Sequence, residues 1–80
     1  MTVEVLLFAS YAEAFGPSIS LEIPEGAHAT AVLADIRLRA EAMGKRLPPA
    51  ALAINQRYAR PGDVISAGDE LAVIPPVAGG

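Results

Sequence analysis

The sequence has no cysteine and a single histidine, His28. Without thiolates the chain cannot form disulfides, ligate an iron–sulfur cluster or use a cysteine nucleophile. One histidine does not build a multi-histidine metal site or a catalytic triad, so we expect no bound metal. Basic residues are also few, six against nine acidic ones, which gives a formal charge of −3. Because a phosphate backbone favours clustered cations, we expect no nucleic-acid partner.

Long apolar runs are lacking as well. No run approaches the roughly 20 residues of a membrane helix, and the opening MTVEVLLFAS has neither a basic segment nor a cleavage-site pattern. We therefore expect a soluble, cytoplasmic protein with no membrane partner. The 80 residues are 52% hydrophobic and 19% charged, a composition typical of one small globular domain.

Alternating apolar residues predict the strands. They occupy residues 2–9, 18–23, 52–55 and 70–74, with a short strand near Tyr58. The first two form a hairpin linked by a short helical turn, and we expect the first and last strands to be central and parallel. The residues predicted to face the core are Val3, Val5, Leu7, Ile19, Leu21, Ile23, Leu52, Ile54, Leu71 and Val73.

The pattern changes to a helical period over residues 30–43. Thr30 is the predicted N-cap and Gly44 the glycine after the C-cap, while Leu38 falls on the solvent side. A further helical turn is predicted near Val64. One helix on one face of a mixed sheet makes an α+β roll. At about 100° per residue, the core-facing stripe consists of Val32, Leu33, Ile36, Ala40 and Met43.

After the last strand the composition changes, so we divide the chain into a domain of residues 1–74 and an extended tail of residues 75–80. The tail consists of Pro75, Pro76, Val77, Ala78, Gly79 and Gly80. Its two prolines cannot donate ladder hydrogen bonds and favour polyproline II, which predicts a semi-rigid stalk with a reach of about 20 Å. Two terminal glycines arise by chance in only about 0.5% of sequences. This favours a working terminus over a merely disordered one.

A carboxylate at the end of such a tail fits a narrow channel in another protein. A free carboxylate is a poor electrophile, because it is charged and its oxygen leaves badly. Conversion to an acyl-adenylate removes both obstacles. Glycine at position 80 leaves the acyl carbon open to attack, because it has no side chain.

An outward apolar patch is predicted beside the root of the tail. Phe8 and Ile74 lie on the strand faces opposite the core, with Leu6 and Ala72 nearby if the two strands are neighbours. Apolar patches on small proteins often mark docking sites. The alternative is that the turn at residues 11–15 covers these side chains.

The segments VEVLLFA, LEIPEG, AIN and above all GDELAVIPPVAGG resemble the MoaD family, the small subunits of molybdopterin synthase. The resemblance spans the whole chain and implies the ubiquitin-like β-grasp fold. It also implies that an ATP-dependent activating enzyme adenylates Gly80. A sulfur donor acting through that enzyme then converts the terminus into a thiocarboxylate.

By the same resemblance, the loaded tail enters the large subunit of the synthase and gives its sulfur to a pyranopterin precursor during molybdenum cofactor biosynthesis. The family's apolar contact surface corresponds to Phe8, Tyr58 and Ile74. Two small subunits are expected to flank a large-subunit dimer as a heterotetramer. The chain alone is expected to bind no cofactor and to have no turnover. Many members have Arg-Glu after the first strand where this chain has Ala12-Glu13, so an ionic contact from position 12 is not expected.

Three other functions compete with this one. A carrier of the same fold can serve another pathway, such as thiazole formation for thiamine, but the PPVAGG ending weighs against it. A ubiquitin-like modifier would join Gly80 to a lysine. An electron carrier of the β-grasp ferredoxin type is excluded by the absence of cysteine.

Overall fold

The computed structural model describes residues 1–76, which form five strands and two helices. The elements in chain order are β1 (Thr2–Leu7), α1 (Ala9–Phe15), β2 (Ser18–Glu22), α2 (Ala29–Ala42), β3 (Ala51–Ile54), β4 (Arg57–Tyr58) and β5 (Leu71–Ile74). Every predicted strand is present. β1 ends at Leu7, two residues earlier than predicted, because Ala9 takes φ 51° and begins α1.

The strands form one mixed sheet in the order β2-β1-β5-β3-β4. β1 pairs antiparallel with β2 and parallel with β5, and β3 lies antiparallel between β5 and β4. The prediction that the first and last strands are central and parallel is confirmed, as is the α+β class. In residues 1–76, no helix has both the length and the apolar character needed to cross a membrane.

The core lies between α2 and the inner face of the sheet. The least exposed large side chains are Val5, Leu21, Val32, Ile36, Ile65, Leu71 and Val73. Each such side chain contributes roughly 1.5–3 kcal/mol through its burial. Ile19 and Ile54 pack against this core but stay partly exposed, and Ile65 is a core residue that the sequence pattern did not predict.

The predicted start of α2 is wrong. The helix begins at Ala29, and its N-cap is His28, which makes no side-chain capping bond, rather than Thr30. The Ala29 N–H donates to the Asp63 carbonyl at 2.9 Å, and His28 forms a bridge with Val64. The predicted helical turn near Val64 is therefore also wrong, because that segment pairs with the helix start instead.

The end of α2 confirms one prediction and corrects another. Gly44 follows the C-cap with φ 72°, a left-handed conformation that suits glycine. Lys45 N–H donates back to the Ala40 carbonyl at 2.9 Å, which closes the last turn. Met43, predicted to face the core, is 50% exposed because the helix ends one residue before it. Leu38 is exposed, as predicted.

Candidate functional site

An apolar cavity opens on the sheet face opposite α2, beside the start of the tail. It has a volume of about 360 Å³. Its apolar lining includes Phe8, which is 49% exposed, and Tyr58, which is 69% exposed. We call this site the docking cavity, and the residues that line it are Leu6, Phe8, Ala53, Gln56, Tyr58, Glu70, Ala72 and Ile74.

Strand alternation and register bring these side chains together. In β1 the core-facing residues alternate with exposed ones, so Leu6 points away from α2 and Phe8 follows on the same side. Leu6 pairs with Ala72 of the parallel strand β5, which places Ile74 beside Phe8 at the next outward position. The predicted proximity of Phe8 and Ile74 is confirmed as geometry. The turn at residues 11–15 does not bury Phe8.

Tyr58 connects the docking cavity with the root of the tail. It lies on the two-residue edge strand β4 and pairs with Ala53. Tyr58 also lines a second groove, together with Ile74, Pro75 and Pro76. The apolar surface therefore continues from the cavity to the first two tail residues.

The predicted reactive end of the tail, Val77, Ala78, Gly79 and Gly80, lies outside the described residues. Pro75 is partly buried and Pro76 is exposed. The predicted role of Gly80 thus stays a prediction, and so do the partner contacts of Phe8, Tyr58 and Ile74. The structure adds the starting point of the tail, at the rim of the docking cavity.

A left-handed turn borders the cavity at its other end. Asn55 and Gln56 join β3 to β4 with φ values of 52° and 68°. The Asn55 amide nitrogen donates to Asp69 Oδ1 at 3.0 Å, and Asn55 Oδ1 accepts from the Glu70 N–H at 3.0 Å. The Ser66 N–H donates to Asp69 Oδ2 at 2.8 Å. Asp69 and Asn55 together tie this turn to the beginning of β5.

Hydrogen bonding at this turn changes the acidity of Asp69. The Ser66 N–H, and after it the Asn55 amide, lower the pKa of the Asp69 carboxyl below its usual value. Both donors stabilise the charged form. The hydrogen bonds that Asp69 accepts are therefore strongest while its carboxyl is ionised.

Asp69→Asn is expected to weaken the acid dependence of stability. Because the pKa of Asp69 is lowered in the folded chain, its contribution is present above the usual value of about 3.9 and is lost as pH falls through the lowered pKa. Urea unfolding between about pH 2 and pH 6 measures this loss. The matched control is Glu25→Gln, a turn carboxylate with no side-chain hydrogen bond or ion pair in the described part of the chain. Equal acid dependence in wild type and Asp69→Asn would contradict the role given to Asp69.

Two lining residues of the cavity, Gln56 and Glu70, lie outside the predicted contact surface. Strand alternation puts Glu70 on the same face as Ile74, whereas Gln56 falls in the turn after the third strand. The available signal was the two-residue turn after Ile54, because a tight hairpin returns the chain to the same sheet face.

Within residues 1–76, no group of three or more potential metal ligands lies together.

Comparison with known proteins gives a consistent result. The sequence matches the ThiS family over residues 5–80. A molybdopterin synthase sulfur carrier subunit of Chlamydomonas reinhardtii is 37% identical over 83 residues, and the match covers 100% of both chains. A human protein of the same name is 37% identical over 82 residues, covering 98% of this chain and 93% of the human one.

Solved structures support the fold. SAMP1 from Haloferax volcanii superposes with a TM-score of 0.78 at 28% identity, covering 100% of both chains. Subunit 1 of a putative molybdopterin converting factor from Pyrococcus furiosus gives 0.79 at 27% identity, covering 96% of this chain and 99% of that one. A Helicobacter pylori complex of subunits 1 and 2 of molybdopterin-converting factor gives 0.61 at 23% identity over 100% of both chains, a likeness of fold alone. These neighbours confirm the ubiquitin-like β-grasp fold.

Proposed function

We propose that this chain, which belongs to the ThiS family, is the sulfur carrier subunit of a molybdopterin synthase. The observation that carries this proposal is the full-length similarity to relatives of that name. The docking cavity at the root of the tail agrees with it, because a carrier needs a surface that holds it while its tail reaches a partner's active site. The chain is a sulfur-donor subunit and has no turnover of its own.

The proposed chemistry is carried by the carboxyl group of Gly80. An ATP-dependent activating enzyme joins this carboxylate to AMP and releases pyrophosphate. A sulfur donor acting through that enzyme then replaces AMP, which leaves a thiocarboxylate. ATP is consumed by the activating enzyme, and this chain binds no cofactor.

In the final step the thiocarboxylate sulfur attacks a carbon of the pyranopterin precursor in the large subunit, and the carbon–oxygen bond at that carbon breaks, so that an oxygen substituent leaves. The new carbon–sulfur bond is retained when water cleaves the acyl–sulfur bond, and Gly80 becomes a carboxylate again. Repetition supplies the second sulfur of the dithiolene. This cycle explains how a chain without cysteine carries sulfur.

Docking is proposed to use the cavity around Phe8, Tyr58 and Ile74. All three side chains line it, and Tyr58 and Ile74 also line the groove that leads to Pro75 and Pro76. A large subunit seated here would lie next to the first residues of the tail. Ala12 is uncharged and partly buried against this chain's own core, so we expect no ionic contact with the large subunit from that position. Two small subunits on a large-subunit dimer complete the proposed assembly.

The proposal is tested by the mass of the C-terminal peptide from chain purified out of its own cells. We expect a fraction heavier by the difference between one sulfur and one oxygen atom, with the change at Gly80. Incubation with the large subunit and precursor should convert that fraction back to the carboxylate. A terminus that never carries sulfur, in cells that make the molybdenum cofactor, would contradict the proposal.

A second function is favoured by the similarity to the Haloferax volcanii structure described as small archaeal modifier protein 1. In that case Gly80 forms an isopeptide with a lysine of a target protein. The same mass measurement separates the two, because a modifier yields branched Gly80–lysine peptides. Co-purification with the large subunit separates the molybdopterin carrier from a carrier for thiazole formation.

A further inference from the structure

Two polar side chains, Gln56 and Glu70, share the docking cavity with apolar neighbours. Both residues are exposed. In the part of the chain that the structure describes, neither side chain has a hydrogen bond or an ion pair, since the bond at Glu70 is made by its backbone N–H. Their polar groups are therefore available to a molecule that covers the cavity.

The backbone at Gln56 has a conformation that is unfavourable for a residue with a side chain. With φ 68°, Gln56 has the left-handed backbone conformation that residues other than Gly and Asn rarely adopt. Glycine is the usual residue at this place in a two-residue hairpin turn. Within residues 1–76, the non-glycine residues with positive φ are Ala9, which follows Phe8, and Asn55 and Gln56. Gln56 lines the docking cavity, and Ala9 and Asn55 are each next in sequence to a lining residue. Such conformations concentrate at functional sites.

Asn55 holds Gln56 and Glu70 in a fixed relation. The Asn55 side chain accepts from the Glu70 N–H at 3.0 Å, and the Asn55 backbone N–H donates to the Glu70 carbonyl at 2.8 Å. Gln56 is the next residue along the turn. The carbonyl of the Gln56 amide and the Glu70 carboxylate are thereby presented as two acceptors at one end of the cavity.

Among the described residues that line the cavity, none carries a positive charge to offset the Glu70 carboxylate. The lining of the cavity contains neither lysine, arginine nor histidine. The neighbouring outward residue on β1 is another carboxylate, Glu4, one position before the pair Val5 and Leu71. Glu4 already accepts from Ser20 at 2.7 Å. A partner that covers this end must supply positive charge, because a carboxylate buried without a counter-ion is strongly unfavourable.

We propose that Gln56 and Glu70 together bind an arginine side chain of the large subunit when that subunit covers the docking cavity. The planar guanidinium group offers several donors in a fixed fork, so it can donate to a carboxylate and to an amide carbonyl at the same time. The contact lies at the end of the cavity away from Pro75, and it orients the subunit so that the tail root faces the active site. This inference rests on the proposed function.

The test is calorimetric binding of the large subunit from the same organism at low and high salt. Glu70→Gln is expected to weaken binding by about tenfold at low salt and to reduce its salt dependence. Gln56→Ala and Gln56→Gly are expected to weaken binding equally. Only Gln56→Gly should raise the melting temperature, because glycine relieves the left-handed strain and alanine does not. The charge control, Glu25→Gln, should bind as the wild type does.

The outcomes distinguish a failure of this inference from a failure of the proposed function. If wild-type chain does not bind the large subunit, the proposed function itself is wrong. If it binds and both Glu70→Gln and Gln56→Ala bind equally well, the arginine contact is overturned. Loss of binding in Gln56→Gly but not in Gln56→Ala would also overturn it, because the backbone of the turn would then matter and the amide would not.

Discussion

Deletion of Gly80 is expected to abolish sulfur transfer and to leave the melting temperature at its wild-type value. The reacting acyl carbon belongs to this residue under the proposed chemistry, so its loss removes the group that is adenylated. A chain shortened to Gly79 also reaches about 3.3 Å less far into the partner. The large contributors to folding lie between Val3 and Val73, outside the tail. The measurement is dithiolene formation with activating enzyme, sulfur donor and large subunit, beside a melting curve.

Two controls sharpen this result. Gly62→Ala removes a glycine where nothing lies within 4 Å of an added Cβ, so it should keep both transfer and stability. The truncated chain should still bind the large subunit, because the docking cavity is unchanged. Sulfur transfer by the truncated chain would show that the terminal carboxyl is not the carrier.

Phe8→Ala and Ile74→Ala are each expected to weaken binding of the large subunit by about 1–3 kcal/mol. Both side chains line the docking cavity, and Phe8 exposes half of its surface there. Burial of these groups in the complex removes apolar area from water, and truncation forfeits that gain. Because neither residue belongs to the fully buried core, the free chain should keep most of its stability. Titration calorimetry and thermal melting measure the two effects separately.

Leu38→Ala is the matched control, since Leu38 is 64% exposed on α2, away from the cavity. It removes a comparable exposed apolar side chain and should leave binding unchanged. Unchanged affinity for the large subunit in both Phe8→Ala and Ile74→Ala would contradict the proposed docking role of the cavity. Equal weakening by Leu38→Ala would point to a second contact surface on the helix.

The strands and the outward patch of Phe8 and Ile74 were predictable because both depend on the two-residue alternation of side chains along a strand. Alternation places Val5 and Leu71 inward and Phe8 and Ile74 outward, without any knowledge of distant contacts. Once β1 and β5 are neighbours, the outward residues must meet. The tail directly follows the last strand, so the root of the tail lies beside these outward residues.

The start of α2 was not predictable from local signals, because a distant segment decides it. Thr30 has the side chain of a good N-cap, yet the backbone bonds from Ala29 to Asp63 and from Ile65 to Ala27 fix the N-cap two residues earlier, at His28. The same bonds bury Ile65 and turn Val64 outward. The surrounding sequence shows no clear period, so the pattern gave no sign of this pairing.

The parallel pairing of β1 with β5 also has a mechanical consequence. The pairs from Val5–Leu71 to Leu7–Val73 show that β1 and β5 run in the same direction. The tail, which follows β5, therefore leaves from the end of the sheet opposite to the start of β1. Traction on the tail against an anchored start of β1 loads all of these hydrogen bonds together in shear, whereas a terminal hairpin would peel open bond by bond. The tail can thus be drawn into a tight channel, and pulled out again, while the sheet from which it leaves stays intact.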